Sequence, residues 1–289
     1  MHLHTHNGKI PVRAISCSQP LDAGNGGCIN GFENLLLSEV NSFSKRGELR
    51  KGAIMVFKDP DLDQLVYNFL SFGTAVMLGA FVYFLTQIKS VAKSYQSGVA
   101  VSAVVVGIAG YHYFRMWSGW AEGTVNEGYR YADWLITVPL LIVELLIVLG
   151  VTADRRKKLM LILVPATVLM IGLGYPGEVS TEDGTKWLFW ILAMLPFAVI
   201  LAVLSTELKA ARARETGAIS SSIRNATGVL LVTWMVYPVA YLFPVIFDAG
   251  HEGAETARQI GYTFADITAK CLYGLMILQI AKARSGDSH

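Results

Sequence analysis

The chain has 289 residues, 53% of them hydrophobic and only 16% charged, with a mean hydropathy of +0.44. A water-soluble domain carries about a quarter charged residues, so this composition excludes an ordinary soluble fold and points to a protein dissolved in lipid. The formal net charge of +2 says little by itself; where the charges fall says more.

Residues 1–54 hold the basic side chains Lys9, Arg13, Lys45, Arg46, Arg50 and Lys51 and no apolar run long enough for a signal peptide. The histidines of "MHLHTHNG" read as a flexible terminus, and no metal site is expected. Met55 opens "MVFKDPDLDQLVYNF", an acidic lead into the first apolar stretch. Met55 is accordingly read as the true start, residues 1–57 as a polar, flexible extension and residues 58–289 as the membrane domain. Cys17 and Cys28 lie in the leader and Cys271 in an apolar stretch, so no disulfide framework is expected.

A membrane-spanning helix needs roughly 20 mostly apolar residues. Seven stretches qualify: 65–88, 97–120, 129–150, 159–175, 187–206, 226–247 and 259–282. The sixth holds two prolines, which lipid tolerates when neighbouring helices satisfy the freed carbonyls. The connections alternate in sign. Lys89 and Lys93, then Arg155, Arg156, Lys157 and Lys158, then Lys209, Arg212, Arg214 and Arg224, and finally Lys282 and Arg284 make one set basic. Glu122 and Glu127, "GEVSTEDG" with Glu178, Glu182 and Asp183, and "DAGHEGAE" make the other acidic. The positive-inside rule puts the basic set in the cytoplasm. The expected fold is an all-α, seven-transmembrane-helix bundle with its N-terminus outside and its C-terminus cytoplasmic.

The last stretch, "GYTFADITAKCLYGLMILQIAKA", carries Asp266 and Lys270 one turn apart in an apolar context. Charge in mid-membrane costs at least ~2.5–3.5 kcal/mol on insertion scales. Lys270 is too deep to reach either surface, so snorkelling does not explain it. A structural ion pair with Asp266 is allowed by the spacing. The functional reading is a buried lysine that forms a Schiff base with a carbonyl compound, with Asp266 as part of its counter-ion. The third stretch, "YRYADWLITVPLLIVELLIVLG", supplies Arg130, Asp133, Thr137 and Glu144. Asp133 and Thr137 share a helix face, as do Asp133 and Glu144, whose spacing is close to three turns and ~16 Å along the axis. Carboxylates staged along one apolar face are what a proton relay requires.

"RYADWLITVPLL" and "DITAKCLYGL", with "SAVVVGIAGYHYFRMW", "GYPGEVS" and "VYPVAYLFP", resemble the microbial (type 1) rhodopsins, in their proteorhodopsin/xanthorhodopsin branch. The resemblance runs from about residue 60 to near the C-terminus. It implies all-trans retinal bound covalently to Lys270, with Asp133 and Asp266 as counter-ions and Asp133 as primary proton acceptor. It makes Glu144 the donor that reprotonates the Schiff base. His112 stands beside the acceptor, Thr137 hydrogen-bonds near it, and Arg130 sets the charge on the exit side. Tyr113, Trp134, Leu141, Trp234, Tyr237, Pro238 and Tyr241 match retinal-pocket positions, and a leucine at 141 implies green rather than blue absorption.

The implied function is a light-driven outward proton pump, an ion transporter rather than an enzyme, multi-pass in a bacterial inner membrane or plasma membrane. Its partners are the lipid bilayer, protons and further copies of itself in a pentamer or trimer, with no nucleic acid. The alternative is a photosensory rhodopsin signalling to a partner. A chloride pump would lack the acid at 133, a sodium pump would carry Asn and Gln in this pattern, and a channel would need a more hydrophilic inner half. Some members of the branch hold a carotenoid against a glycine window on the fifth helix. The window position here falls on Trp190, so no carotenoid antenna is expected.

Overall fold

The computed structural model describes residues 55–247 and 251–286. The expectations for residues 1–54 lie outside the described residues. Among the described residues, seven helical spans are long and apolar enough to cross a membrane, and there is no strand. The helices are α1 (Pro60–Gln87), α2 (Lys93–Ala121), α3 (Gly128–Val148), α4 (Ala153–Glu178), α5 (Asp183–Arg214), α6 (Gly217–Ile246) and α7 (Glu252–Asp266). A π-helical turn, Ile267–Leu272, joins α7 to α8 (Tyr273–Gly286), so the seventh span is one rod with a bulge at Lys270.

Local signals explain where the helices begin. Asp59 caps α1 by accepting from the amides of Asp61 and Leu62 at 2.9 and 3.3 Å. Pro60 follows at the first helical position, where its missing N–H costs nothing. Thr152 caps α4 in the same way, just after Gly150, whose φ of +65° turns the chain out of α3. Phe57, assigned by sequence to the polar extension, is 7% exposed and packs edge-on to Trp120 at 5.1 Å. The amides of Lys58 and Asp59 bind the two carboxylate oxygens of Glu252, which ties the start of α1 to the start of α7.

Five of the seven spans run past both ends of the apolar stretches. The fourth, expected over 159–175, is helical over Ala153–Glu178. Arg155, Arg156, Lys157 and Lys158 therefore lie in its first turns rather than in a loop. Glu178, assigned to an acidic loop, ends the helix and is 7% exposed. Hydropathy loses these turns because charged side chains sit on them, whereas the backbone continues helical.

Each helix packs on its neighbour in the chain, and α1 packs on α7, closing the bundle. Burial is uneven. The most apolar windows of the first, fourth and fifth spans are 28%, 22% and 28% buried, against 56% for the third and 61% for the seventh. The third and seventh spans thus form the interior, and their charged residues face protein rather than lipid. Val232, Leu161, Phe264 and Leu195 are among the large apolar side chains left on the outside, as expected of a surface solvated by lipid. Gly73 on α1 matters to the centre: an added Cβ would lie 2.6 Å from the Tyr113 ring, so only glycine lets that tyrosine in.

Candidate functional site

Lys270 projects from the π turn into the bundle and is 1% exposed. Its Nζ lies 2.6 Å from Asp133 Oδ2 and 2.6 Å from Asp266 Oδ1. One amine bridges two carboxylates, one from α3 and one from a turn earlier on its own span. The π turn adds a residue where the side chain must leave the axis, a distortion common at functional sites.

The two carboxylates have different surroundings. Asp266 Oδ1 also accepts from Trp134 Nε1 at 3.0 Å and from the Tyr237 hydroxyl at 2.8 Å, and its Oδ2 accepts from the Tyr113 hydroxyl at 2.8 Å. Arg130 Nη1 stands 3.6 Å from the same Oδ2. Asp133 has fewer partners. Its Oδ1 makes no hydrogen bond among the described residues, and His112 Nδ1 is 4.0 Å away. That nitrogen also lies 3.0 Å from the carbonyl oxygen of Ile108; a carbonyl only accepts, so Nδ1 carries the hydrogen. Thr137, expected near Asp133, donates to the main-chain oxygen of Asp133 at 2.9 Å and not to its carboxylate.

Glu144 is fully buried on the same face of α3 as Asp133 and Thr137. Its Oε2 accepts from Ser102 Oγ of α2 at 2.7 Å, and its Oε1 has no partner among the described residues. No other acid shares this half of α3, which beyond Pro139 is otherwise Leu, Ile and Val.

On the opposite side of Lys270 the charges are dense. Arg130, with no exposed surface, donates to the Tyr113 hydroxyl at 3.2 Å and to Gln259 Oε1 at 2.7 Å. Gln259 Nε2 in turn donates to Glu127 at 2.5 Å and to Glu255 at 2.8 Å. Arg258 meets Glu178 and Glu255 at 2.8 Å and Glu127 at 3.4 Å. Glu178 Oε2 accepts from the hydroxyls of Tyr131 and Tyr262 at 2.8 and 2.9 Å. None of Ser102, Glu127, Glu178, Arg258 and Gln259 was singled out as a site residue from sequence. A serine in an apolar stretch and the glutamate of "GYPGE" were the available signals.

An apolar cavity runs up to Lys270, the only charged side chain among the described residues that line it. Trp134, Leu141, Trp234, Tyr237, Pro238 and Tyr241, six of the expected pocket residues, line it, with Trp190, Phe197 and Gly174 among others. Tyr113 does not line it; it stands on Asp266 and Arg130 instead. An added Cβ at Gly174 would come within 3.1 Å of the Tyr131 hydroxyl, so this wall is as thin as the chain allows.

Residues 64–284 match the family model described as bacteriorhodopsin-like protein. The chain belongs to the bacteriorhodopsin-like family. A green-light absorbing proteorhodopsin from a gamma-proteobacterium is 30% identical over 232 residues, 79% of this chain and 92% of that protein. Archaerhodopsin-2 from a Halobacterium species (strain aus-2) is 31% identical, covering 73% of this chain and 83% of the relative. Among solved structures, xanthorhodopsin, described as a light-driven ion pump with dual chromophore, superposes with a TM-score of 0.75 at 41% identity. That match covers 80% of this chain and 97% of xanthorhodopsin. A thermophilic rhodopsin gives 0.74 at 42%, with the same coverage. This bacteriorhodopsin-like protein is therefore a multi-pass cell-membrane protein of the proteorhodopsin/xanthorhodopsin branch, and membership implies a retinal chromophore. The cavity fits that group: it is long-chain apolar space walled by tryptophans and tyrosines, with a single amine in it.

Proposed function

We propose that the protein is a light-driven outward proton pump, with all-trans retinal attached to Lys270 as a protonated Schiff base. It is an ion transporter rather than an enzyme. When bound, retinal supplies absorption of visible light and a light-driven change of shape that alters the surroundings of the Nζ proton. The chain's own residues handle the proton. Asp133 Oδ2, 2.6 Å from Nζ, accepts it; its second oxygen has no donor among the described residues and can hold it. Asp266 keeps its charge because three donors and Arg130 surround it. Glu144, the one acid in an apolar half-helix, returns a proton to Nζ from the other side. Trp134 and Tyr237 line the cavity beside the ion pair and donate to Asp266.

Direction follows from the charges at the helix ends. Lys89, Lys93, Arg155, Arg156, Lys157, Lys158, Arg212 and Arg214 share the end to which Glu144 is nearer, and Glu122, Glu127, Glu182, Asp183, Glu252 and Glu255 share the other. Basic residues mark the cytoplasmic side, so the N-terminus is outside, the C-terminus inside, and transfer from Glu144 towards Asp133 is outward. Each proton moves against a field of about 2.3 kcal/mol per 100 mV. The single observation that carries the proposal is an amine between two unequal carboxylates, with a third carboxyl isolated on the inner side. Oligomerisation as a pentamer or trimer belongs to the same reading.

Retinal is proposed as the only chromophore. Trp190, at the position of the antenna window, lines the cavity and is pinned by a hydrogen bond from Nε1 to Pro238 O at 3.0 Å. The test of the pump is to illuminate retinal-supplied cells in unbuffered medium. The medium acidifies, and a protonophore abolishes the change. Coloured cells that leave the pH unchanged would favour the photosensory alternative.

A further inference from the structure

Tyr273 opens α8, directly after the π turn and three residues past Lys270. Its side chain has no exposed surface, yet its hydroxyl has no hydrogen-bond partner among the described residues. Across the bundle, Glu144 Oε1 is in the same condition. The two groups belong together: α3 packs on α8, and the Glu144 carboxyl lies within electrostatic reach of the Tyr273 phenol. Both lie on the side of the Lys270–Asp133 pair away from Arg130, Tyr273 about 4.5 Å along its helix from Lys270. A buried hydroxyl and a buried carboxyl oxygen without protein partners are as a rule satisfied by an ordered water that each can bind.

We propose that the Tyr273 hydroxyl and Glu144 Oε1 hold a water between them, and that Tyr273 thereby positions the proton path from Glu144 to Lys270 Nζ. The inference rests on the donor role proposed for Glu144. In the transfer, the O–H bond of the Glu144 carboxyl breaks as the water takes its proton, and the water passes another of its protons towards Nζ. Glu144 ends as carboxylate, the water is restored, and Tyr273 keeps its proton throughout. Packing alone does not call for the hydroxyl, because phenylalanine fills the same volume. That makes Tyr273→Phe the informative change.

The experiment uses the full-length protein reconstituted with retinal. In Tyr273→Phe the visible band is unchanged. Return of the proton to Nζ after a flash slows by about tenfold, the rate equivalent of one lost hydrogen bond. The carbonyl stretch of Glu144, identified by its loss in Glu144→Gln, shifts in infrared difference spectra. The double variant Glu144→Gln/Tyr273→Phe is no slower than Glu144→Gln alone, because both act on one path. An unchanged return rate with an unmoved carbonyl band overturns the inference, and so does slowing that simply multiplies in the double variant. If Glu144→Gln itself leaves the rate unchanged, the donor role fails, and the unmoved or shifted carbonyl band still decides whether a water is shared. Should Tyr273→Phe fail to fold, the unmodified protein decides: a water O–H band that shifts in H2(18)O and is lost in Glu144→Gln is expected, and its absence overturns the proposal.

Discussion

Asp133 and Asp266 stand at the same 2.6 Å from Lys270 Nζ, but only Asp266 is otherwise fully engaged. Tyr113, Trp134 and Tyr237 all donate to Asp266, whereas one oxygen of Asp133 is left without a donor among the described residues. Donors to a carboxylate favour its charged form. Of the two, Asp133 is the one that can take a proton without giving up hydrogen bonds, and Asp266 is the fixed charge.

The inequality sets the first prediction. Asp133→Asn removes the acceptor and one of the two carboxylates that share the counter-charge. The absorption band moves to the red, and acidification of the medium falls by about a hundredfold or more, the usual loss when a positioned acid or base is removed. Proton release measured with a pH-sensitive dye checks this; normal acidification by the variant takes Asp133 out of the acceptor role.

Lys270→Ala gives the second. Lys270 is the only charged side chain lining the cavity among the described residues, and no other amine among them is placed to form an imine there. The visible band disappears after retinal addition. A band of full intensity in the variant would move the attachment site elsewhere.

Much of the centre was legible in the sequence because charges in apolar stretches stand out and helical spacing says which of them share a face. Lys270 with Asp266, and Asp133 with Thr137 and Glu144, could be grouped in this way. Partners from different helices could not. Ser102 meets Glu144 across 42 residues and Tyr113 meets Asp266 across 153, and no period within one helix encodes such a pair. Glu178 reads as a loop acid in the sequence for a related reason. Its charge ends the hydropathy window, while its burial depends on Tyr131, Tyr262 and Arg258, which arrive from two other spans.

That buried cluster makes the third prediction. Arg258→Gln leaves Glu178 without its cation inside the bundle. Breaking one partner of a buried pair costs about 3–5 kcal/mol, which lowers the temperature of thermal bleaching by roughly 10 °C. Adding Glu178→Gln removes the stranded charge and recovers part of the loss. Equal bleaching temperatures in the wild type and the single variant would mean that Glu127 and Glu255 do not need Arg258 to keep this end of the bundle together.

The last prediction concerns light harvesting. A carotenoid passes excitation to retinal only if it lies close to the polyene, and a bulky side chain between them prevents that approach. Trp190 is half-buried and lines the cavity on α5. It stacks edge-on with Trp187 at 5.9 Å and is held to α6 by its bond to Pro238 O. An indole of up to ~250 Å² fixed at both its ends is not easily pushed aside. The neighbours Phe189 and Ile191 are also large, so a shift of one residue in the register would not open the wall. Purified protein incubated with a hydroxylated or keto-carotenoid therefore shows no carotenoid bands in the excitation spectrum of retinal emission. Trp190→Gly removes the indole and its hydrogen bond, and carotenoid bands then appear if the outer groove accepts the ligand. Energy transfer in the unmodified protein would show that Trp190 does not close the window.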